Sequence, residues 1–85
     1  MIEIRFQKEI KRALAYDEKK IIGECKFVEL DDTWNIIHTK VNKSYQGQGI
    51  AKKLVFEVIK NAKENSKNIV AECSYADKIL KNSTK

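Results

Sequence analysis

Proline is absent from the chain, histidine occurs once, cysteine twice and glycine three times in 85 residues. Each shortage removes a class of protein. With no proline and 34% of its residues charged, this is not a Pro-rich disordered chain. Cys25 and Cys73 stand far apart, with no histidine or further cysteine at ligand spacing, so the chain encodes neither a disulfide framework nor a zinc site, and no metal is expected. Two isolated thiols fit a reducing, cytoplasmic setting. No apolar run is long enough to span a membrane and no signal-peptide core follows Met1, so no membrane partner is expected.

What remains is a small folded domain. A hydrophobic content of 42% suffices for one modest core, read as a single domain over residues 1–85 and as a monomer. The net charge of +5 favours anionic partners without choosing among them. The lysines are scattered along the chain, as on a solvated surface. Neither an RNA-binding aromatic signature nor zinc-finger spacing is present, so no specific nucleic-acid partner is expected. A small basic nucleic-acid-binding module stands as the alternative from another class.

Ile2, Ile4 and Phe6 alternate with Glu3, Arg5 and Gln7, the pattern of a half-buried strand. A second strand is expected over Lys11–Tyr16, with a helical turn over Glu9–Tyr16 as the alternative. After the polar turn Asp17–Lys20, Ile21–Leu30 reads as a long strand. Ile21, Cys25 and Phe27 take one side, Ile22, Val28 and Leu30 the other, and Gly23 suggests a bulge. Asp31–Thr33 makes the next turn. Trp34–Val41 follows, with Trp34, Ile36 and His38 on one side and Ile37, Thr39 and Val41 on the other. Apolar residues on both faces make it an interior strand.

Two of the three glycines then fall in Tyr45-Gln46-Gly47-Gln48-Gly49-Ile50-Ala51. A long amphipathic helix to about Glu64 begins at once. At about 100° per residue, Ile50, Ala51, Leu54, Val55, Val58, Ile59 and Ala62 share one arc, with Phe56 off its edge. No Ser, Thr, Asp or Asn between Tyr45 and Ile50 caps the helix start. Bare amides, glycines and nearby Lys52 form an anion site suited to phosphate, the alternative being a tight strand-to-helix turn. Ile69–Cys73 reads as a short buried strand, Ser74–Leu80 as a brief helix and Lys81–Lys85 as a polar tail.

Strand Trp34–Val41, the helix and strand Ile69–Cys73 form a βαβ unit whose strands should be parallel. Both strands then end where the helix begins, where ligands of α/β units commonly bind. That edge carries a phosphate end at Gln46–Lys52 and a thiol end at Cys73.

The spacing Gln46-x-x-Gly49-x-Ala51 resembles the Q/R-x-x-G-x-G/A signature of the GNAT (GCN5-related) N-acetyltransferases. The chain is more closely similar to a subfamily of very small GNAT-like acetyl-coenzyme A binding proteins. That likeness rests on His38-Thr39-x-Val41, Gly47-Gln48-Gly49-Ile50 and Cys73-Ser74-Tyr75-Ala76, over roughly Gly23 to Leu80. The resemblance implies an α+β, GNAT-like fold: a mixed, mostly antiparallel sheet with a C-terminal β-α-β unit and a short final helix. It implies acetyl-coenzyme A or coenzyme A as the bound cofactor. Backbone groups of Thr39, Lys40 and Val41 would pair with the pantetheine. Amides of Gln46, Gly47, Gln48, Gly49, Ile50 and Ala51, with Lys52, would hold the pyrophosphate.

Cys73 would lie near the acetyl group, with Cys73 and His38 as the catalytic candidates. The implied activity is acetyl transfer to an unknown amine acceptor; the alternative within the family is binding or sensing without transfer. His38 reads first as a strand histidine held by local hydrogen bonds and then as a general base, and Tyr75 either as packing or as an acid for the leaving thiolate. Cys25 reads as a small core residue. Lys40 departs from the subfamily, which often carries an acidic residue there, and the chain lacks the His-Pro tail of many relatives.

Overall fold

The computed structural model describes residues 1–83, with side chains as far as Lys81. Five strands form one sheet in chain order: β1 (Ile2–Gln7), β2 (Arg12–Asp17), β3 (Lys20–Leu30), β4 (Thr33–Val41) and β5 (Asn68–Ala71). The first four pair antiparallel and β5 runs parallel to β4. Two helices, α1 (Ile50–Glu64) and α2 (Ser74–Ser83), complete the chain. This is the expected mixed sheet with a terminal β-α-β unit. Lys8–Ile10, between β1 and β2, forms a 3-10 turn.

The core lies between the sheet and the helices. Ile50, Leu54, Val55, Val58, Ile59 and Ala62 of α1 are buried, the arc that its apolar spacing defines. Ala76 and Ile79 of α2 join the same cluster. At one end Phe6, Phe27 and Trp34 stack, with Phe27 and Trp34 centroids 4.3 Å apart. At the other, α1 settles closely onto Gly23. A β-carbon there would stand 3.2 Å from both Leu54 Cδ1 and the Lys40 carbonyl oxygen, so a side chain would lift the helix.

Two extra residues set which side chains face this core. Between β2 and β3, Ala15 pairs with Gly23 but Tyr16 with Ile21, leaving Ile22 unpaired. Between β3 and β4, Lys26 pairs with His38 but Phe27 with Ile36, leaving Ile37 unpaired. Because side chains alternate with a period of two, one inserted residue exchanges the faces of all that follow. Strict alternation would group Ile21 with Cys25 and Phe27. The first bulge instead buries Ile22 among them and leaves Ile21 half exposed. The second corrects the placement of His38 beside Trp34 and Ile36. His38 is exposed on the open face of the sheet, and Thr39 is turned toward the core.

The C-terminal elements also shift from the sequence expectation. β5 ends at Ala71, so Cys73 lies beyond it, immediately before α2. α2 runs on through Ser83, making Lys81–Ser83 helix rather than tail, while Thr84 and Lys85 lie outside the described residues. Among the described residues no helix is long and apolar enough to cross a membrane.

Candidate functional site

β4 and β5 part company halfway along β4. Their last register pair is Ile36 with Ala71, yet β4 continues to Val41. At the parting, the Ile36 carbonyl accepts from the N–H groups of both Glu72 (2.9 Å) and Cys73 (3.1 Å). The Asn35 side chain accepts from the Glu72 N–H as well, at 3.0 Å. These bonds turn the chain away from the sheet, and the far half of β4 is left with an edge that β5 does not cover.

Which backbone groups face that edge follows from the antiparallel alternation. The Asn42 N–H donates to the Ile22 carbonyl across β3 at 2.7 Å. Stepping back by twos, Lys40 and His38 aim their backbone groups at β3, whereas Thr39 and Val41 aim theirs at the opening. Strand groups without a neighbouring strand are a template for an extended ligand; here the Val41 carbonyl accepts from the Gln46 side chain and the Thr39 N–H bears on the Cys73 thiol. Lys40 presents only its exposed side chain nearby.

The glycine loop closes one end of the opening. Gly47 and Gly49 hold φ of +85° and +77°, the left-handed region that side chains disfavour. Gly49 precedes α1 with no side-chain cap. The first helical bond runs from the Lys53 N–H to the Gly49 carbonyl, so the N–H groups of Ile50, Ala51 and Lys52 have no helical partner. A β-carbon built on either glycine meets no atom within 4 Å, so both face open space. The Gln46 side-chain amide donates to the Val41 carbonyl at 3.4 Å, bridging loop and strand. A hollow of about 350 Å³ is lined here by Val41, Gln46, Gly47, Gly49, Ala51 and Tyr75 among others. Another of about 570 Å³ shares Val41 and Gln46 with it and adds Thr39, Lys40 and Lys43. Gln48 is exposed, and the Lys52 ammonium lies 5.8 Å from the Phe56 ring. A larger hollow of about 710 Å³ lies between Ile4 and the Phe56 side of α1, but it holds neither glycine nor thiol.

The loop is also tied to the sheet. Tyr45 donates its hydroxyl to Asp17 at the end of β2. That bond is the main reason the Asp17 carboxyl sits below its ordinary range, against a smaller opposing effect of burial.

Cys73 guards the other end. It is half-buried and occupies the cap position of α2, where the Asp77 N–H donates to its carbonyl at 2.9 Å. Burial raises the thiol's pKa. The Ala76 N–H, the Thr39 hydroxyl, the Tyr75 N–H and the Thr39 N–H outweigh it, and the net shift is downward. Cys73 Sγ lies 3.6 Å from Thr39 Oγ1, which itself lies 3.6 Å from the buried Cys25 Sγ.

Val41, Gln46, Gly47, Gly49, Ile50 and Ala51 therefore meet around one opening, Thr39 lines the adjoining hollow, and Cys73 touches Thr39 without lining either. His38 does not join Cys73. It lies on the other face of β4, with Nε2 3.4 Å from Glu24, which also accepts from Arg12 at 3.2 Å. The sequence reading missed the Thr39 side chain, the Asn35 clamp and the Tyr45–Asp17 bond. Only the last left a trace, as a tyrosine heading a polar glycine loop.

The sequence profile of a family described as GCN5-related N-acetyl-transferase matches residues 11–85. A GCN5-like protein from Staphylococcus aureus, solved in solution, is 33% identical, with 94% of this chain and 78% of that one aligned at a TM-score of 0.71. A crystal structure of another Staphylococcus aureus protein shares the fold at 17% identity, covering 100% and 90% of the two chains with a TM-score of 0.73. The GNAT family N-acetyltransferase YhbS from Escherichia coli, solved with CoA, is 25% identical and aligns over 71% of this chain at a TM-score of 0.64. The present chain spans 38% of that protein's length. No curated protein matches the chain.

Proposed function

The chain belongs to the GCN5-related N-acetyltransferase family, and on that premise we propose that it binds acetyl-coenzyme A in the opening between β4 and α2 and transfers the acetyl group to an amine acceptor. The observation that carries this reading is the uncovered edge of β4 leading into the bare start of α1. Amide groups of an extended pantetheine find the backbone of Thr39 and Val41 facing them. The N–H groups from Gln46 to Lys52, gathered at the positive end of α1, suit the pyrophosphate. Gly47 and Gly49 leave the room it needs. Lys40, Lys43 and Lys52 add positive charge around the mouth.

The bound molecule supplies an activated acetyl thioester. Cys73 is the thiol beside Thr39, and its lowered pKa enlarges its thiolate fraction at neutral pH. Its thiolate attacks the acetyl carbonyl carbon, the carbon–sulfur bond to coenzyme A breaks, and coenzyme A leaves as a thiolate that takes up a proton. Exchange of a thioester between two thiols is nearly balanced, so positioning governs its rate. The amine acceptor then takes the acetyl group from Cys73. His38 stands with Glu24 on the opposite face of β4, out of reach of a thioester on Cys73, so the acceptor's proton passes to solvent as the carbon–sulfur bond to Cys73 breaks.

One observation favours binding without transfer as the second reading: among the described residues, no histidine adjoins the thiol. A titration with acetyl-coenzyme A, followed by amide resonances and then by intact mass, separates the two. Perturbation centred on Thr39–Val41 and Gln46–Lys52 with acetylated Cys73 supports transfer. The same perturbation with an unmodified thiol supports binding alone. No perturbation at millimolar ligand ends both.

A further inference from the structure

A core cysteine normally needs no partner beyond its packing. Cys25 has one. It is fully buried and stands opposite Thr39 in the β3–β4 register. This is one of the pairs that exchange no ladder bonds, in which side chains approach most closely. Thr39 Oγ1 stands 3.6 Å from each thiol, accepting from Cys73 and donating to Cys25.

We infer that Cys25 and Thr39 form a reversible hydrogen-bond pair that holds the Cys73 thiolate, which makes Cys25 a positioning residue for that thiol. The chain of bonds has two arrangements. With Cys73 protonated, its S–H donates to Thr39 Oγ1 and the Thr39 O–H donates to Cys25. When the Cys73 proton leaves for solvent, the Thr39 hydroxyl rotates and donates to the thiolate. Its freed lone pair then accepts the S–H of Cys25. No bond other than Cys73 S–H is broken, and no oxidant or reductant enters. An alanine or valine at position 25 can complete neither arrangement. A thiol serves both because it donates and accepts.

The surroundings agree. Burial pushes the Cys25 thiol up to about 11, so it stays protonated while Cys73 titrates. The other titratable groups close to Cys73 in the chain are Glu72, Tyr75 and Asp77. α1 turns Ile50, Leu54, Val55 and Val58 into the core behind them, and His38 and Glu24 pair on the opposite face of the sheet. The groups that lower this thiol's pKa are all hydrogen-bond donors. The role rests on the reading of Cys73 as nucleophile. Its test reads the thiol without coenzyme A, so the two can fail separately.

The experiment is the rate of Cys73 alkylation by iodoacetamide in the full chain, followed by peptide mass between about pH 6 and about pH 10. Cys25→Ala should raise the midpoint by roughly half to one pH unit, the size of one modest hydrogen bond. Cys25→Ser, which also donates and accepts, should keep the parental midpoint. Thr39→Val should raise it at least as far, and adding Cys25→Ala to Thr39→Val should change nothing more. If Cys25→Ala does not fold, Cys25→Val is read in the same way. An unchanged midpoint in the apolar variant, equal shifts in Cys25→Ser and Cys25→Ala, or full additivity with Thr39→Val would each overturn the relay.

Discussion

The two helices begin on either side of one opening and treat their first N–H groups in opposite ways. α1 starts from Gly49 in a left-handed conformation, with no side-chain cap and three N–H groups left without helical partners. α2 starts from Cys73, whose thiol draws the Ala76 and Tyr75 N–H groups and is shifted toward ionisation by them. Both ends carry the same dipole. One leaves it exposed for an external anion, and the other turns it inward on a nucleophile. The difference comes from a single side chain: glycine cannot occupy its own helix end, and cysteine does.

The comparison breaks most visibly at Gly49. Gly49→Val should abolish acetyl-coenzyme A binding, because a β-branched residue resists φ of +77° and its side chain projects into the open space before α1. The same strain should cost about 1–2 kcal/mol of stability. The Cys73 alkylation midpoint should stay where it is. Calorimetric titration and thermal melting check all three, and normal binding by a folded variant would remove the phosphate assignment.

Next in size is the ligand's own effect. At about a hundred times its Kd, acetyl-coenzyme A should add roughly 2.7 kcal/mol to the folded state. For a chain of this length that is a rise in Tm of order 10 °C or more. Coenzyme A without the acetyl group should do nearly as well, because the α1 end does the holding. A rise confined to the acetylated form would shift the weight to the α2 end.

Cys73→Ser sharpens the other side. The hydroxyl still accepts from the Ala76 N–H, so stability should change by less than about 1 kcal/mol. Cofactor affinity should change by no more than a few-fold, while the acetyl label expected on the parent should be absent from the variant by intact mass. Acetyl label that persists on the variant, or maps to Cys25 in the parent, would sink the nucleophile assignment.

The smallest effect concerns the loop's tie to β2. The Tyr45 hydroxyl is the main cause of the depressed Asp17 pKa. A carboxyl whose folded value lies below its unfolded one contributes stability that is present above the unfolded value, near about 3.9, and lost as pH falls through the folded value. Tyr45→Phe should therefore weaken the chain more at about pH 6 than at about pH 2. Urea midpoints at the two pH values test it, and an equal loss at both would show that the hydroxyl acts by packing alone.

Much of this site was legible in the residues themselves. The Gly47–Gly49 loop, the missing cap and the arc from Ile50 to Ala62 are local features, set by positive φ and a 3.6-residue period, and the structure carries each where the spacing placed it. The antiparallel opening strands and the parallel final pair followed from turn lengths and the intervening helix. The end of β5 was less legible, because Glu72 and Cys73 are taken up by the Ile36 carbonyl and Asn35 rather than by further ladder pairs.

The amino-acid sequence by itself determined the elements, their order and the anion-ready start of α1, because those depend on neighbours within a few positions. The tertiary structure alone decided which face of β4 each residue takes. The extra residue Ile37 leaves the apolar alternation of Trp34–Val41 outwardly intact, yet its mismatch with Lys26 and Phe27 reverses every side chain beyond it. That reversal sends His38 to the open face and brings Thr39 between Cys25 and Cys73. A register mismatch is a property of two strands together, so no periodicity within one of them could reveal it.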